Sequence, residues 1–159
     1  MTTSNIRQAT SDDLSFVRTT THDAYAPWEN VLGGPPLPMY EDYAPRIARH
    51  QVWIAELGGE AAGVMVLEAA ADHLAIYSLA VSPAHQRQGI GQRMLQAAEQ
   101  MAEVAGVPEL RLFTNDRMTR NLAIYRQAGF QEIGRRPNPY REGWVLVDMA
   151  KAVNERSGG

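Results

Sequence analysis

The sequence predicts an α/β fold, α+β by strict definition, built on a mixed and mostly antiparallel sheet with one locally parallel pair of strands. Three observations predict it. Strand-like and helix-like periodicities replace one another along the chain between Ile6 and Ala150. Three strands follow directly on one another from Val52 to Val81, which suits an antiparallel meander. An amphipathic run ending at Ala105 then separates the third of these from a further strand at Leu110, and a strand, helix, strand connection in one sheet needs a right-handed crossover and a parallel pair.

In chain order, Ile6 lies in a short extended stretch. Thr10-Ser11-Asp12-Asp13 reads as a helix start, with a capping hydroxyl and acids at the positive end of the dipole, and Leu14, Val17, Ala24 and Tyr25 give that helix an apolar stripe. Pro27 to Pro38 contains Gly33-Gly34-Pro35-Pro36 and is expected to form no regular element, only a loop to a second helix near Met39 to His50. Val52 to Leu57 and Gly63 to Glu68 are strands around a Gly58-Gly59 hairpin turn, and Leu74 to Val81 completes the meander. Met94, Leu95, Ala98, Met101, Ala102 and Ala105 recur at helical spacing until Gly106 and Pro108 stop the run. Leu110 to Thr114 is a strand, Asn121 to Ala128 a helix closed by Gly129, and Gln131 to Arg136 and Trp144 to Ala150 are the last strands.

The 159 residues, 45% hydrophobic, suffice for one core, so residues 1–153 are expected to form a single domain followed by a flexible tail at 154–159. There is no cysteine, which excludes a disulfide scaffold, a thiolate metal site and a cysteine nucleophile. The polar N-terminus and the lack of a run of about 18 apolar residues point to a soluble, cytoplasmic protein without a membrane partner. A net charge of -3 with a single lysine, Lys151, argues against nucleic acid as the main ligand.

The most informative segment leaves a strand at Leu79-Ala80-Val81, turns through Gln86-Arg87-Gln88-Gly89-Ile90-Gly91 and enters a helix at Gln92-Arg93. Such a turn presents unpaired backbone N–H groups to one small volume and binds anions. Gly89 and Gly91 remove Cβ atoms where a phosphate must approach the main chain, and Arg87 and Arg93 add positive charge, so a pyrophosphate is the natural ligand. The residue three beyond Gly91 is Met94 and no Gly-Lys-Ser/Thr follows, so dinucleotide-binding and P-loop patterns fit poorly.

Val81-x-Pro83 followed by Gln86-x-x-Gly89-x-Gly91 resembles the signature of the GNAT superfamily of acyl-CoA-dependent N-acyltransferases. Asn121 to Phe130 resembles that family's Asn-x-x-Ala-x-x-Tyr-x-x-x-Gly-Phe segment, with Ala123 one place early and Tyr125 and Gly129 each two places early, the Tyr-x-x-x-Gly-Phe spacing being kept. The resemblance runs from about Val52 to Met149 in element order. It implies a GNAT-like sheet of six to seven strands with helices on both faces, in which the strands at Leu74–Val81 and Leu110–Thr114 splay and pantetheine lies along the gap. It also implies acetyl-CoA as co-substrate, no metal, transfer to a primary amine of a small molecule or protein, and the ability to form a homodimer through the late strands. The acetyl-CoA residues so implied are Leu79, Ala80, Val81, Gln86 to Arg93 (Gln86, Arg87, Gln88, Gly89, Ile90, Gly91, Gln92, Arg93), Asn115, Asn121 and Tyr125.

Direct transfer from a thioester needs a neutral amine, stabilisation of the oxyanion and a proton for the departing thiolate. Positions 121 and 125 share a helix face, and the resemblance gives Tyr125 the role of general acid. The base is not fixed by either motif. Some family members place an acid on the strand before this helix, where this chain has Phe113; Glu68 is the first choice here, and Tyr77, His22 and Tyr25 are others. The acceptor surface is expected from Tyr25, Trp28, Tyr40, Tyr43 and Tyr77, with Arg141 to Trp144 near the far rim and Glu29, Glu41 and Asp42 suiting a small cation. The missing acid also leaves open a non-catalytic acyl-CoA sensor on the same fold.

Overall fold

The computed structural model describes residues 4–153, so the segment expected to be a tail lies outside the described residues. Seven strands form one mixed sheet in the order β1-β2-β3-β4-β5-β7-β6. The chain divides into two compact units, one comprising residues up to Glu68 with Tyr77–Ala97, the other Ala69–Ile76 with the residues from Ala98 onward.

In the first unit β1 (Ser4–Gln8) pairs antiparallel with β2 (Val52–Leu57), which pairs antiparallel with β3 (Glu60–Ala69). Gly58 and Gly59 form the two-residue turn with φ of 61° and 83°, the left-handed pair that matches strand twist. Thr10 precedes a 3-10 turn at Ser11–Asp13, where the Thr10 N–H donates to the Asp13 carboxylate at 2.8 Å, and α1 (Leu14–Tyr25) follows. Val17, Tyr43, Ile47, Val52, Ile54, Val64 and Val66 make the core of this unit.

The segment expected to be irregular contains a short helix, α2 (Glu29–Leu32), which corrects that expectation. Glu29 sits in its first turn and Gly33, at φ 84°, closes it, so the Gly-Pro run acts as a stop signal after a helical turn rather than dissolving the whole segment. The second helix is also shorter than its periodicity suggested. Leu37–Met39 is a 3-10 turn and α3 covers only Ala44–Ala48, starting where Pro45 fits the first turn and Asp42 Oδ1 accepts the Ala44 N–H at 3.1 Å.

β4 (His73–Val81) alternates buried and half-buried residues along its length, and α4 (Ile90–Ala105) is the amphipathic helix, with Met94, Leu95, Ala98 and Ala102 buried. Gly63 of β3 has no room for a side chain: a Cβ there would lie 2.9 Å from Ile90 Cγ2, 2.9 Å from Met94 Cε and 3.2 Å from the Ala80 carbonyl. A glycine inside a strand thus lets the start of α4 press against the sheet.

In the second unit β4 and β5 (Glu109–Asn115) form the parallel pair, from His73↔Glu109 to Ile76↔Leu112, where the ladder ends although both strands continue. β7 (Val145–Ala152) pairs antiparallel with β5 and with β6 (Gln131–Pro137). α5 spans Thr119–Gln127, so Asn121 lies within the first turn and is not the cap. Gly129, at φ 102°, ends it, and the Phe130 N–H closes the turn on the Tyr125 carbonyl at 3.0 Å. Lys151 Nζ donates to Glu99 Oε2 at 2.9 Å, a partly buried ion pair.

Candidate functional site

The turn singled out in the sequence is braced from below. The Ser82 N–H donates to the Ala62 carbonyl at 2.8 Å, and His85 lies 3.3 Å from Glu60 Oε2 with its side chain 16% exposed. Gln86, Arg87, Gln88 and Gly89 then stand exposed, with Arg87 and Gly89 at φ of 65° and 78°. The first bond of α4 runs from the Arg93 N–H to the Gly89 carbonyl at 3.0 Å, which leaves the amides of Ile90, Gly91 and Gln92 outside the helical ladder.

A Cβ on Gly91 would meet only ordinary contact, 3.9 Å from Val81 and 4.0 Å from Leu79, so packing within the protein does not demand glycine there. A ligand coming close to the backbone there would. Among the described residues the Arg87 guanidinium has no partner, whereas Arg93 is hydrogen-bonded to Ser4 Oγ. A depression of about 340 Å³ lies here, lined by Ser4, Leu57, Gln88, Gly89, Gln92 and Arg93 among others. Leu79 and Val81 are half-buried, Ala80 and Ile90 are buried, and Gln92 is exposed. In this unit the Ser78 hydroxyl, next along β4, is buried with no hydrogen-bond partner among the described residues.

The second unit holds the other motif. Asn115, buried at the end of β5, accepts the Arg117 N–H on Oδ1 at 2.9 Å while its Nδ2 has no partner among the described residues. Asn121 and Tyr125 are half-buried one helical turn apart on α5. The Tyr125 ring packs edge-on against Phe130 with centroids 6.0 Å apart, and desolvation pushes its phenol up to about 12, so it stays protonated at neutral pH. Phe113 lies exposed on β5 with the Arg136 guanidinium 5.3 Å from its ring.

The residues expected to form an acceptor surface differ in their surroundings. Glu68 is tied to Arg46 at 3.0 Å, and Arg46 also donates to Glu41 at 2.8 Å and to Gln51 at 3.1 Å while lying over the Tyr77 ring. Burial, with the nearby Glu41 charge, pushes the Tyr77 phenol up to about 12. Tyr40 is 65% exposed and meets His22 edge-on at 5.7 Å. Tyr25 and Trp28 are half-buried at the end of α1 and in the turn after it. Tyr43 departs from expectation: it is 1% exposed, donates to the Pro38 carbonyl at 2.5 Å and belongs to the core, leaving no surface for an acceptor.

Residues 48–132, a little over half of the chain, match the model of the acetyltransferase (GNAT) domain. The chain belongs to the GNAT acetyltransferase family.

A rat protein named N-acetyltransferase family 8 member 3 is 35% identical to this GNAT chain over 88 residues, which cover 52% of the chain and 39% of the relative. The chain therefore matches well under half the length of that curated relative. Among solved structures, the alanine N-acetyltransferase of a ribosomal protein from Escherichia coli superposes with a TM-score of 0.74 at 21% identity, covering 99% of this chain and 98% of that one. The PaiA N-acetyltransferase from Thermoplasma acidophilum, solved in complex with coenzyme A, superposes at 0.70 with 18% identity over 94% and 99% of the two chains. These likenesses establish the fold. Among the described residues no helix is long and apolar enough to cross a membrane.

Sequence reasoning missed three features of this GNAT domain. Arg46 reads as one more charged helix residue, and nothing local marks it as the hub of four side chains. Ser78 sits in an apolar run with no motif to flag it. Gly63 did carry a signal, since glycine inside a strand often marks a close backbone approach.

Proposed function

We propose that this GNAT chain is an N-acetyltransferase that moves the acetyl group of acetyl-CoA to a primary amine by direct attack within a ternary complex. The observation that carries the reading is the turn before α4, which carries amides at Ile90, Gly91 and Gln92 outside the helical ladder, an exposed Gly89 and an Arg87 without a partner among the described residues. That combination suits the pyrophosphate of coenzyme A. The coenzyme A bound to the PaiA relative supports the same donor.

In the proposed reaction the amine nitrogen lone pair attacks the thioester carbonyl carbon, the C–S bond breaks, the departing sulfur takes a proton and the amine loses one. Tyr125 supplies the first proton: its phenol is protonated and has no hydrogen-bond partner among the described residues. Glu68, partly exposed, is the proposed acceptor of the second, directly or through water.

Calorimetric titration with acetyl-CoA and thiol release across an amine panel test the reading. Binding with release supports it. Binding without release by any amine replaces it with an acyl-CoA sensor, a reading favoured by the exposed Phe113 where an acid would serve as base. No binding overturns both.

A further inference from the structure

We propose that the depression walled by α1 and the Met39–Asp42 segment receives an acceptor that carries a carboxylate beside its amine, an α-amino acid, with Arg18 holding the carboxylate and Asp42 the ammonium. This rests on the acetyl-transfer reading and names its acceptor class.

The depression, about 480 Å³, is of a size that holds a small metabolite. Its charges divide into spent and open ones. Glu41 has both oxygens on Arg46, at 2.8 and 3.3 Å, and His22 faces Asp23 at 3.3 Å. Arg18 projects from the rigid α1 and has no partner among the described residues. Asp42 uses Oδ1 to accept the Ala44 N–H, and its other oxygen makes no hydrogen bond among the described residues. The lining therefore offers one open cation and one open anion, and a ligand that answers both is a zwitterion. A simple amine or polyamine would leave Arg18 unmatched and meet its repulsion, while an acidic peptide would meet that of Asp42. The planar guanidinium fork matches a carboxylate in two parallel hydrogen bonds. Met39 and the Tyr40 ring supply an apolar wall for a side chain.

The pocket is also wired to the strands of the same unit. Glu41, part of its lining, is bonded to Arg46, which in turn contacts Glu68 and Tyr77. An acceptor seated on Arg18 would thus lie beside the cluster that holds the proposed base.

The test compares the common L-amino acids, each beside its decarboxylated amine, such as L-phenylalanine with phenethylamine and L-leucine with isoamylamine. Thiol release at saturating acetyl-CoA gives KM, and saturation-transfer NMR without acetyl-CoA reads the subsite even if no transfer occurs. The expected result is a preference for at least one amino acid over its amine, on the order of tenfold in KM. Arg18→Gln abolishes that preference by raising KM for the amino acid, while the amine, relieved of the repulsion, binds no more weakly than before. Because Arg18 is exposed and partnerless, this variant is expected to fold, and Arg18→Lys should recover part of the preference. Asp42→Asn, which keeps the oxygen that accepts the Ala44 N–H, weakens both members of a pair. Equal handling of every amino acid and its amine, or an equal effect of Arg18→Gln on both, overturns the inference while any transfer to an amine leaves the acetyl-transfer reading in place. Failure to bind acetyl-CoA overturns that reading alone, and the NMR comparison still decides the subsite.

Discussion

The guanidinium carbon of Arg46 lies 3.9 Å from the centroid of the Tyr77 ring, while the same group donates to Glu41, Gln51 and Glu68. One side chain from a five-residue helix thereby fixes two carboxylates and an aromatic ring drawn from β3, β4 and the segment before α3. Replacing Arg46 with Met is expected to destabilise the fold by about 2–3 kcal/mol, because its side chain is only 14% exposed and two carboxylates would be left without their counter-ion. Arg46→Lys should cost less, about 1 kcal/mol, since the charge stays but the fork and the stacking are lost. Urea unfolding checks both, and a cost near zero for Arg46→Met would remove the hub from the account of stability.

Two glycines should respond to alanine for different reasons. Gly63→Ala is expected to cost about 1–3 kcal/mol through overpacking, since its Cβ would press on Ile90, Met94 and a backbone carbonyl, and to weaken acetyl-CoA binding by shifting the start of α4. Gly89→Ala meets no atom within 4 Å, so its expected cost of about 1 kcal/mol comes from φ +78° alone. Denaturation curves paired with acetyl-CoA titration separate strain from clash.

Tyr125→Phe is expected to lower kcat by about 10- to 100-fold with little change in acetyl-CoA affinity, the signature of a proton donor rather than a binding contact. Steady-state kinetics with a direct binding measurement decide it; equal losses in both would make the residue structural.

The tyrosines also set an alkaline limit. Burial raises the Tyr77 and Tyr125 phenols to about 12, above their ordinary value of 10, so their contribution to stability is complete below pH 10 and is lost as pH rises to 12. Burial pushes Tyr43 up as well. The part of the tyrosinate absorbance that Tyr77→Phe and Tyr125→Phe remove should therefore appear in that window, together with loss of near-ultraviolet dichroism. That part appearing at pH 10 with the near-ultraviolet dichroism intact would contradict it.

At the acid end, hydrogen bonds from the Arg7 guanidinium at 2.8 and 2.9 Å are the largest cause holding the Asp13 carboxyl below its usual value, with the Thr10 N–H adding to it. A depressed carboxylate stabilises above its unfolded value of 3.8 and loses that effect as pH falls through the folded one. Asp13→Asn should cost about 1–2 kcal/mol at neutral pH and flatten the acid limb of the stability profile.

Much of the fold was legible because its signals are local. The Gly58-Gly59 hairpin, the α4 stripe and the Gly129 stop each depend on a few consecutive residues whose backbone preferences agree with the final structure. The errors came where signals conflict. Glu29–Leu32 forms a helical turn beside a Gly-Pro run, and the expected helix near Met39 to His50 shrinks to Ala44–Ala48 because Pro36 and Pro38 divert the chain before it. Of the candidate site, the exposed glycine turn between β4 and α4 was readable, whereas Tyr43 was misread because an aromatic residue carries no mark of which way it faces.

By itself the sequence determined the order of elements, the parallel pair and the exposed glycine turn before α4, since each follows from periodicity or from a glycine that permits positive φ. Only the tertiary structure decided that Tyr43 is core, that Gly63 seats α4, and that Arg46 spends the charge of Glu41 while Arg18 and Asp42 keep theirs. Those outcomes depend on which distant side chains meet, and pairing between residues far apart in the chain leaves no periodic trace.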